Sequence, residues 1–152
     1  MKKFGLLFVL ACVIAAAPVS WAQTVTATQA LAFGSFAAAA VAGTVTVTAG
    51  GTRSSGGGVI LVPSGGGGAA SFSVTGSPGA TYAITLPSNG SVLLSSGSNT
   101  MGVNNFTSSP TSNGQLSGGG SQTLMVGATL SVGASQARGS YSGTFDVTVN
   151  YN

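Results

Sequence analysis

The sequence lacks most of the side chains on which enzymes depend. Its 152 residues include no His, a single acidic residue and four basic residues. Without a histidine or a second carboxylate, the chain has no base to activate a serine nucleophile and no carboxylate pair to cleave a glycosidic bond. The ligand clusters that hold zinc or calcium are missing from the sequence as well. We therefore expect a protein that is not an enzyme and that uses no cofactor and no metal.

The few lysines stand at the start of the chain, where Lys2 and Lys3 precede a long apolar run without charge. Ser20 and Ala22 supply the small residues that a signal peptidase requires just before its cleavage point. These features together are typical of a secretory signal peptide. We expect residues 1–22 to be removed, the protein to be exported to the periplasm, the cell surface or the medium, and no transmembrane segment to remain.

Removal of this signal would also remove Cys12, the only cysteine, so we expect a mature protein without a disulfide bond. Residues 23–152 are of a length that suits a single domain. Apart from tyrosines, their only ionisable side chains are Arg53, Arg138 and Asp146. Two separated arginines do not make a phosphate-binding patch, so we expect no nucleic-acid partner. A surface with so little net charge favours association with other protein molecules.

The C-terminal residues alternate strictly between apolar and polar side chains. The large apolar members of this series are Tyr141, Phe145, Val147, Val149 and Tyr151. A period of two predicts a strand with one buried face and one exposed face. Only Asn152 follows this strand, so we expect its outer neighbour to come from an earlier part of the chain or from another chain.

Alternation elsewhere predicts an all-β domain with about nine short strands and no helix. Residues 44–48 and 124–132 place apolar side chains at every second position. Residues 59–62 are continuously apolar, which predicts a strand covered on both faces. Short strands separated by Gly and Ser turns are typical of an antiparallel β-sandwich. Near the start of the mature chain, one strand or two short strands are predicted by the shared parity of Val25, Ala27, Leu31 and Phe33.

Three further segments carry local predictions. Residues 70–75 and 81–86 alternate on either side of a Ser-Pro-Gly turn, so we expect them to pair as a β-hairpin. The Gly- and Ser-rich residues 49–58, which include Arg53, are expected to form a turn. Residues 97–120 are rich in Ser, Asn, Thr and Gly, and we expect them to be the least ordered part of the domain.

The end of the chain resembles two known structural signatures. Gly139-Ser140-Tyr141 resembles the tyrosine corner of immunoglobulin-like sandwiches, in which a Tyr hydroxyl bonds back to upstream backbone. The ending also resembles that of chaperone–usher pilins, which have a glycine fourteenth from the C-terminus and a penultimate tyrosine. In this chain Gly139 and Tyr151 occupy those two places.

Over nearly the whole mature chain the sequence resembles a family of small secreted bacterial domains of unknown function, whose C-terminal pattern is similar to that of spore-coat-protein-U-like and fimbrial subunits. The matching stretches are Leu-Ala-Phe-Gly34, Phe-Ser-Val-Thr-Gly76, Val-Gly-Ala-Thr-Leu130 and Gly-Ser-Tyr-Ser-Gly-Thr-Phe-Asp-Val-Thr-Val-Asn-Tyr151. The resemblance implies an immunoglobulin-like, pilin-like sandwich of about seven to nine antiparallel strands. The sequence differs from those of the pilins because it has no disulfide and only a short N-terminal extension.

The resemblance implies a structural subunit of a pilus or surface coat that assembles by β-strand addition. Its partners would be copies of itself or related subunits, with a periplasmic chaperone and an outer-membrane usher. Residues 23–30 would be the extension donated to a neighbouring subunit. In the alternative hypothesis, residues 23–33 close the chain's own sandwich and the protein is a monomeric secreted binding module. A third hypothesis, binding to ice or another surface, comes from the Thr-Val-Thr spacing in residues 24–28 and 44–48.

Overall fold

The computed structural model describes residues 21–152, so the predicted signal peptide lies outside the described residues except for its last two. The described chain contains strands and turns but no helix. The strands are β1 (Thr24–Gln29), β2 (Phe36–Val47), β3 (Arg53–Leu61), β4 (Ala70–Thr75), β5 (Thr81–Thr85), β6 (Val92–Ser96), β7 (Asn99–Ser109), β8 (Asn113–Gln115), β9 (Ser121–Val132) and β10 (Thr148–Tyr151). The all-β prediction is therefore confirmed.

The strands form two antiparallel sheets that pack face to face as a β-sandwich. The larger sheet has seven strands, with β1, β4, β9, β2 and β3 in that order. Its two remaining strands are β7, which pairs with β9, and β6, which pairs with β7. The smaller sheet has three strands in the order β10, β5, β8. Strand β9 is the centre of the larger sheet, because it pairs with β4, β2 and β7.

The core is filled by every second residue of the long strands. On β9 the alternation predicted from the sequence is confirmed, since Leu124, Val126 and Leu130 are almost completely buried while Ser121 and Thr123 are exposed. Each such fully buried side chain contributes about 1.5–3 kcal/mol to the free energy of unfolding. This repeated burial stabilises the sandwich.

The core consists of two clusters that share a boundary. One is built around β2, β7 and the second half of β9, and the other around β4, β5 and the first half of β9. Phe145 packs against both clusters although it lies in a segment without regular strand structure. Its ring lies 5.3 Å from the Phe106 ring and 6.3 Å from the Phe72 ring, centroid to centroid. Phe145 therefore anchors the C-terminal part of the chain to the core.

The predicted hairpin between residues 70–75 and 81–86 is wrong. Strand β4 belongs to the larger sheet, where both of its edges are taken by β1 and β9. Strand β5 belongs to the smaller sheet and pairs with β10 and β8. The turn between them, closed by the Ala80 amide donating to the Ser77 carbonyl at 3.1 Å, carries the chain from one sheet to the other.

Three local predictions also need correction. Residues 59–62 are covered on one face only, because β3 is an edge strand on which Val59 is buried while Ile60 is 68% exposed. The predicted turn over residues 49–58 is shorter, since β3 already begins at Arg53. Residues 97–120 are not the least ordered part, because they contain β7, an eleven-residue strand that pairs with both β6 and β9.

Candidate functional site

The predicted C-terminal strand is regular only at its end. Strand β10 covers Thr148–Tyr151 and pairs with β5, where Tyr151 lies opposite Tyr82. We call residues 137–147 the C-terminal segment. Their only backbone–backbone hydrogen bonds are the two that Ser142 exchanges with Ser95, at 2.9 and 3.1 Å. The prediction of one continuous strand from Tyr141 is therefore wrong for the residues between Ser142 and β10.

The predicted side-chain alternation is nevertheless present in this segment. Phe145, Val147, Val149 and Tyr151 are half-buried, and the residues between them are exposed. The faces of a strand are thus formed although most of its hydrogen-bonding neighbours are missing. None of these four side chains is fully buried, in contrast to the inward side chains of β9.

The tyrosine corner predicted at Tyr141 is formed. The Tyr141 hydroxyl donates to the backbone carbonyl of Ala137 at 2.7 Å and accepts from Nε2 of Gln136 at 2.9 Å. These bonds fold residues 137–141 back on themselves at the start of the C-terminal segment. Gly139 lies so close to Ser96 that a side chain at this position would collide with the Ser96 hydroxyl.

A deep groove runs beside the C-terminal segment, with a volume of about 1110 Å³. One wall is formed by residues 136–145 and the opposite wall by residues 27–38. The floor is apolar and consists of Ala70, Phe72, Val92, Leu94, Met101, Val103 and Leu130. Arg138 is the only charged residue along the groove. The site is therefore a long apolar trough bordered on one side by backbone groups without partners.

The structure separates the four N-terminal residues that the sequence groups together. Val25 and Ala27 lie on β1, whose six residues are all exposed. Strand β1 pairs with β4 along the edge of the larger sheet and does not pair with the C-terminal segment. Leu31 is half-buried and Phe33 is buried, and both line the groove wall. Strand β1 is thus an exposed edge strand, although Ala27, Gln29 and Ala30 also line the groove. Leu31 packs against both core clusters and Phe33 is buried, so these two residues belong to the body of the domain.

Arg53 holds this wall in place, a role that the sequence did not reveal. Its Nη1 donates to the carbonyls of Phe33 at 3.1 Å and Ser35 at 3.4 Å, and its Nη2 donates to the Val62 carbonyl at 2.7 Å. Gly34 has φ of 69°, a conformation that favours glycine, and a side chain there would collide with the guanidinium group. The only sequence signal was an isolated arginine in a Gly- and Ser-rich stretch.

Comparison with known protein families shows to which family the chain belongs. The family described as "Domain of unknown function (DUF4402)" matches residues 24–151. The chain belongs to this family. No curated protein and no solved structure matches the chain. The match begins at the first residue of β1 and ends at the last residue of β10, so the DUF4402 domain includes both walls of the groove.

Membership in DUF4402 confirms the predicted assignment to a family of unknown function. The similarity to spore-coat-protein-U-like and fimbrial subunits stays a prediction. In the described part of the DUF4402 domain, no helix is long and apolar enough to cross a membrane.

Two tyrosines close the DUF4402 sandwich at the end opposite the tyrosine corner. The Tyr151 hydroxyl donates to the Thr75 carbonyl at 2.8 Å and ties β10 to the larger sheet. The Tyr82 hydroxyl donates to Oε1 of Gln122 at 2.6 Å. Burial raises the pKa of both hydroxyls, and for Tyr82 the nearby Tyr151 raises the pKa further. Both hydroxyls are thus held in their neutral, hydrogen-bonding form.

The chemistry of the groove suits an extended peptide. Unpaired N–H and C=O groups along residues 143–147 can form a β-ladder, and the apolar floor can take every second side chain of an added strand. A strand with an open edge is a template for another chain.

Proposed function

We propose that this protein is an exported, non-catalytic structural subunit of a pilus-like filament or surface coat, whose copies assemble by β-strand addition. The observation that carries the proposal is the C-terminal segment, which has a strand's alternation but lacks a strand's neighbours and borders an apolar groove. An added strand would supply the missing ladder and cover the half-buried side chains. Export rests on the predicted signal peptide, and the intact mass of the secreted protein tests it.

The donor in this proposal is residues 23–30 of a second copy. Every residue of β1 is exposed, so its release from β4 uncovers little of the core. Release breaks the ladder between β1 and β4, but insertion forms a new ladder in the groove and buries Val25 and Ala27. The donor ends before Leu31, because Leu31 packs against both core clusters of its own domain and Phe33 is buried there. A periplasmic chaperone and an outer-membrane usher would protect the groove before assembly.

A monomeric secreted binding module is the second candidate function, and one observation favours it. Strand β1 pairs with β4 of its own chain from Thr24↔Thr75 to Gln29↔Ser71. The Thr24 and Thr75 hydroxyls also lie 2.6 Å apart and share a hydrogen bond. In this function β1 stays in place and the groove receives a ligand from outside.

Deletion of residues 23–30, downstream of an intact signal peptide, separates the two functions. In the assembling subunit, the deletion leaves a folded domain that forms no filaments and that binds a synthetic peptide of residues 23–30. In the self-closed module, the deletion removes several backbone hydrogen bonds between β1 and β4. It therefore lowers the free energy of unfolding of the monomer by about 1 kcal/mol for each bond lost. A peptide with Val25→Asp and Ala27→Asp is the matched control, because it keeps the backbone donors and acceptors but cannot cover the apolar floor.

Electron microscopy of the native cell envelope and calorimetric titration of the peptide give the decisive readouts. Filaments that contain the protein, together with binding of the native peptide and not of the control peptide, support β-strand addition. A full-length chain that stays monomeric at every concentration, and whose groove does not bind the peptide after the deletion, would contradict β-strand addition.

A further inference from the structure

Large apolar side chains are exposed in the bulge of β2, near the end of β3 and directly after β3. Val41 and Ile60 are each 68% exposed and Val62 is 41% exposed. Single exposed apolar residues are common on soluble proteins, but a cluster of them marks a contact surface. We call Ala37, Val41, Ile60 and Val62 the apolar rim.

The apolar rim is continuous with the groove. Ala37 lines the groove and is the ladder partner of Ile60. The Val62 amide donates to the carbonyl of Ser35, another groove residue, at 3.1 Å. Ile60 and Val62 are two residues apart in an extended chain, so they point to the same side. The rim therefore extends the apolar wall onto the outside of the domain.

The rim lies at the end of the groove where the C-terminal segment begins. The Ser135 amide donates to the Ala39 carbonyl at 2.8 Å, and Ala39 lies in the bulge of β2 that carries Val41. Every ladder in this fold is antiparallel, so we take an added strand to run antiparallel to the C-terminal segment. Such a strand starts near Val147 and leaves the groove beside the rim.

The body of the donor copy must then stand next to the rim. The donor strand ends at Ala30, and Leu31 already packs against the core of the donor copy. One residue spans at most about 3.6 Å, so no long linker separates the donor strand from its domain. We propose that the apolar rim is a second contact between neighbouring copies of this chain, packed against the body of the copy that donates its strand. This inference rests on the proposed strand addition.

The charges around the rim fit such a contact. The rim itself contains no ionisable side chain, and Arg53, which bonds the carbonyl of Val62, is engaged with three backbone carbonyls. A contact that joins the rim of one copy to a different surface of the next is head-to-tail, and it generates an open filament when the rotation does not close a ring. The rim would thus fix the angle between successive copies, which a strand in a groove does not fix by itself.

The test is Ile60→Asp in the full chain, with Ser121→Asp as the matched control. Ser121 is exposed at the start of β9 and does not line the groove, whereas the rim lies beside the other end of β9, where Val132 pairs with Gly43. Both variants therefore add the same charge to an exposed strand position. We expect Ile60→Asp to raise the protein concentration for half-maximal assembly about tenfold, while Ser121→Asp leaves it unchanged. Both variants should bind the residue 23–30 peptide as the unsubstituted protein does, provided that their own residues 23–30 are deleted.

The outcomes distinguish this inference from the proposal on which it rests. If Ile60→Asp assembles at the same protein concentration as Ser121→Asp, the rim contact is overturned and strand addition stays intact. If the unsubstituted protein does not assemble and its groove does not bind the peptide, strand addition is overturned, and the rim contact is overturned with it. If Ile60→Asp fails to fold by circular dichroism, Ile60→Thr replaces it, because Thr keeps the β-branch while removing apolar surface. Unchanged assembly of a folded Ile60→Thr would then overturn the rim contact.

Discussion

Strand β9 and the C-terminal segment differ in pairing although both alternate apolar and polar side chains. Strand β9 has neighbours on both edges, and its inward side chains are at most 2% exposed. The C-terminal segment makes backbone hydrogen bonds only at Ser142, and its inward side chains are half-buried. The comparison shows that the order of a strand depends on its edges as much as on its faces. A strand with one correct face and no neighbour keeps an unpaired edge.

The two regions should also differ in local stability. Segments with few buried contacts and unpaired backbone open at lower free energy than paired core strands. The C-terminal segment is anchored by Phe145 and by the tyrosine corner, with the backbone between these points left open. Substitutions in β9 should therefore affect global stability, and those in the C-terminal segment should affect it less.

The largest effect is expected from Leu124→Ala on β9. Leu124 is fully buried in the core between the two sheets, so its truncation loses transfer free energy and leaves a cavity. We expect the free energy of unfolding in urea to fall by about 2–5 kcal/mol. A loss well below 1 kcal/mol would show that β9 is not the centre of the core.

A matched pair of valine truncations compares the two regions directly. Val126 is fully buried on β9, and Val147 is half-buried in the C-terminal segment. We expect Val126→Ala to lower the free energy of unfolding by roughly 2–3 kcal/mol, and Val147→Ala by about 1 kcal/mol, because a half-buried side chain loses less buried apolar area when it is truncated. Equal losses in urea unfolding would mean that the C-terminal segment is as well packed as β9.

The tyrosine corner can be tested by Tyr141→Phe. This change removes the bond to the Ala137 carbonyl at 2.7 Å and the bond from Gln136 at 2.9 Å while keeping the ring. We expect a loss of about 1 kcal/mol in thermal unfolding and faster exchange of the Ser142 amide, which donates to the Ser95 carbonyl at 3.1 Å directly after the corner. An unchanged exchange rate of the Ser142 amide would show that the hydroxyl does not order the start of the segment.

The smallest effect on stability is expected at alkaline pH, where Tyr82 and Tyr151 lose their protons. The pKa values of Tyr82 and Tyr151 are raised in the folded protein above the ordinary tyrosine value of about 10. The folded state therefore holds the phenolic protons more tightly than the unfolded state, and their contribution is complete below about pH 10. Stability should fall as the pH rises through the folded pKa values. Melting temperatures measured against pH should fall less steeply for Tyr82→Phe, and an identical slope would contradict this assignment.

The sequence was sufficient to predict the fold class and the inward residues of β9 and of the C-terminal segment. Alternation reports the faces of a strand, so the buried side of β9 and the half-buried side of the C-terminal segment were both predicted correctly. The hydroxyl bond of Tyr141 was predicted because it is local, reaching a carbonyl only four residues away.

Pairing partners were not predictable in the same way, because an edge is filled by whichever strand reaches it from a distant part of the chain. Strands β4 and β5 thus follow each other in sequence but lie in different sheets. The groove was invisible for the same reason, since alternation does not report a missing neighbour. Arg53 escaped prediction because its acceptors are backbone carbonyls, which every residue carries.

Amide hydrogen exchange tests the central claim most directly. It is measured on the chain lacking residues 23–30, with and without the peptide of those residues. The account predicts slow exchange in β9 under both conditions, fast exchange in residues 143–147 without the peptide, and slowed exchange there when the peptide is added. The claim is that residues 143–147 form an unpaired edge that binds an added strand. Slow exchange in these residues without the peptide, or exchange that the peptide does not change, would contradict it.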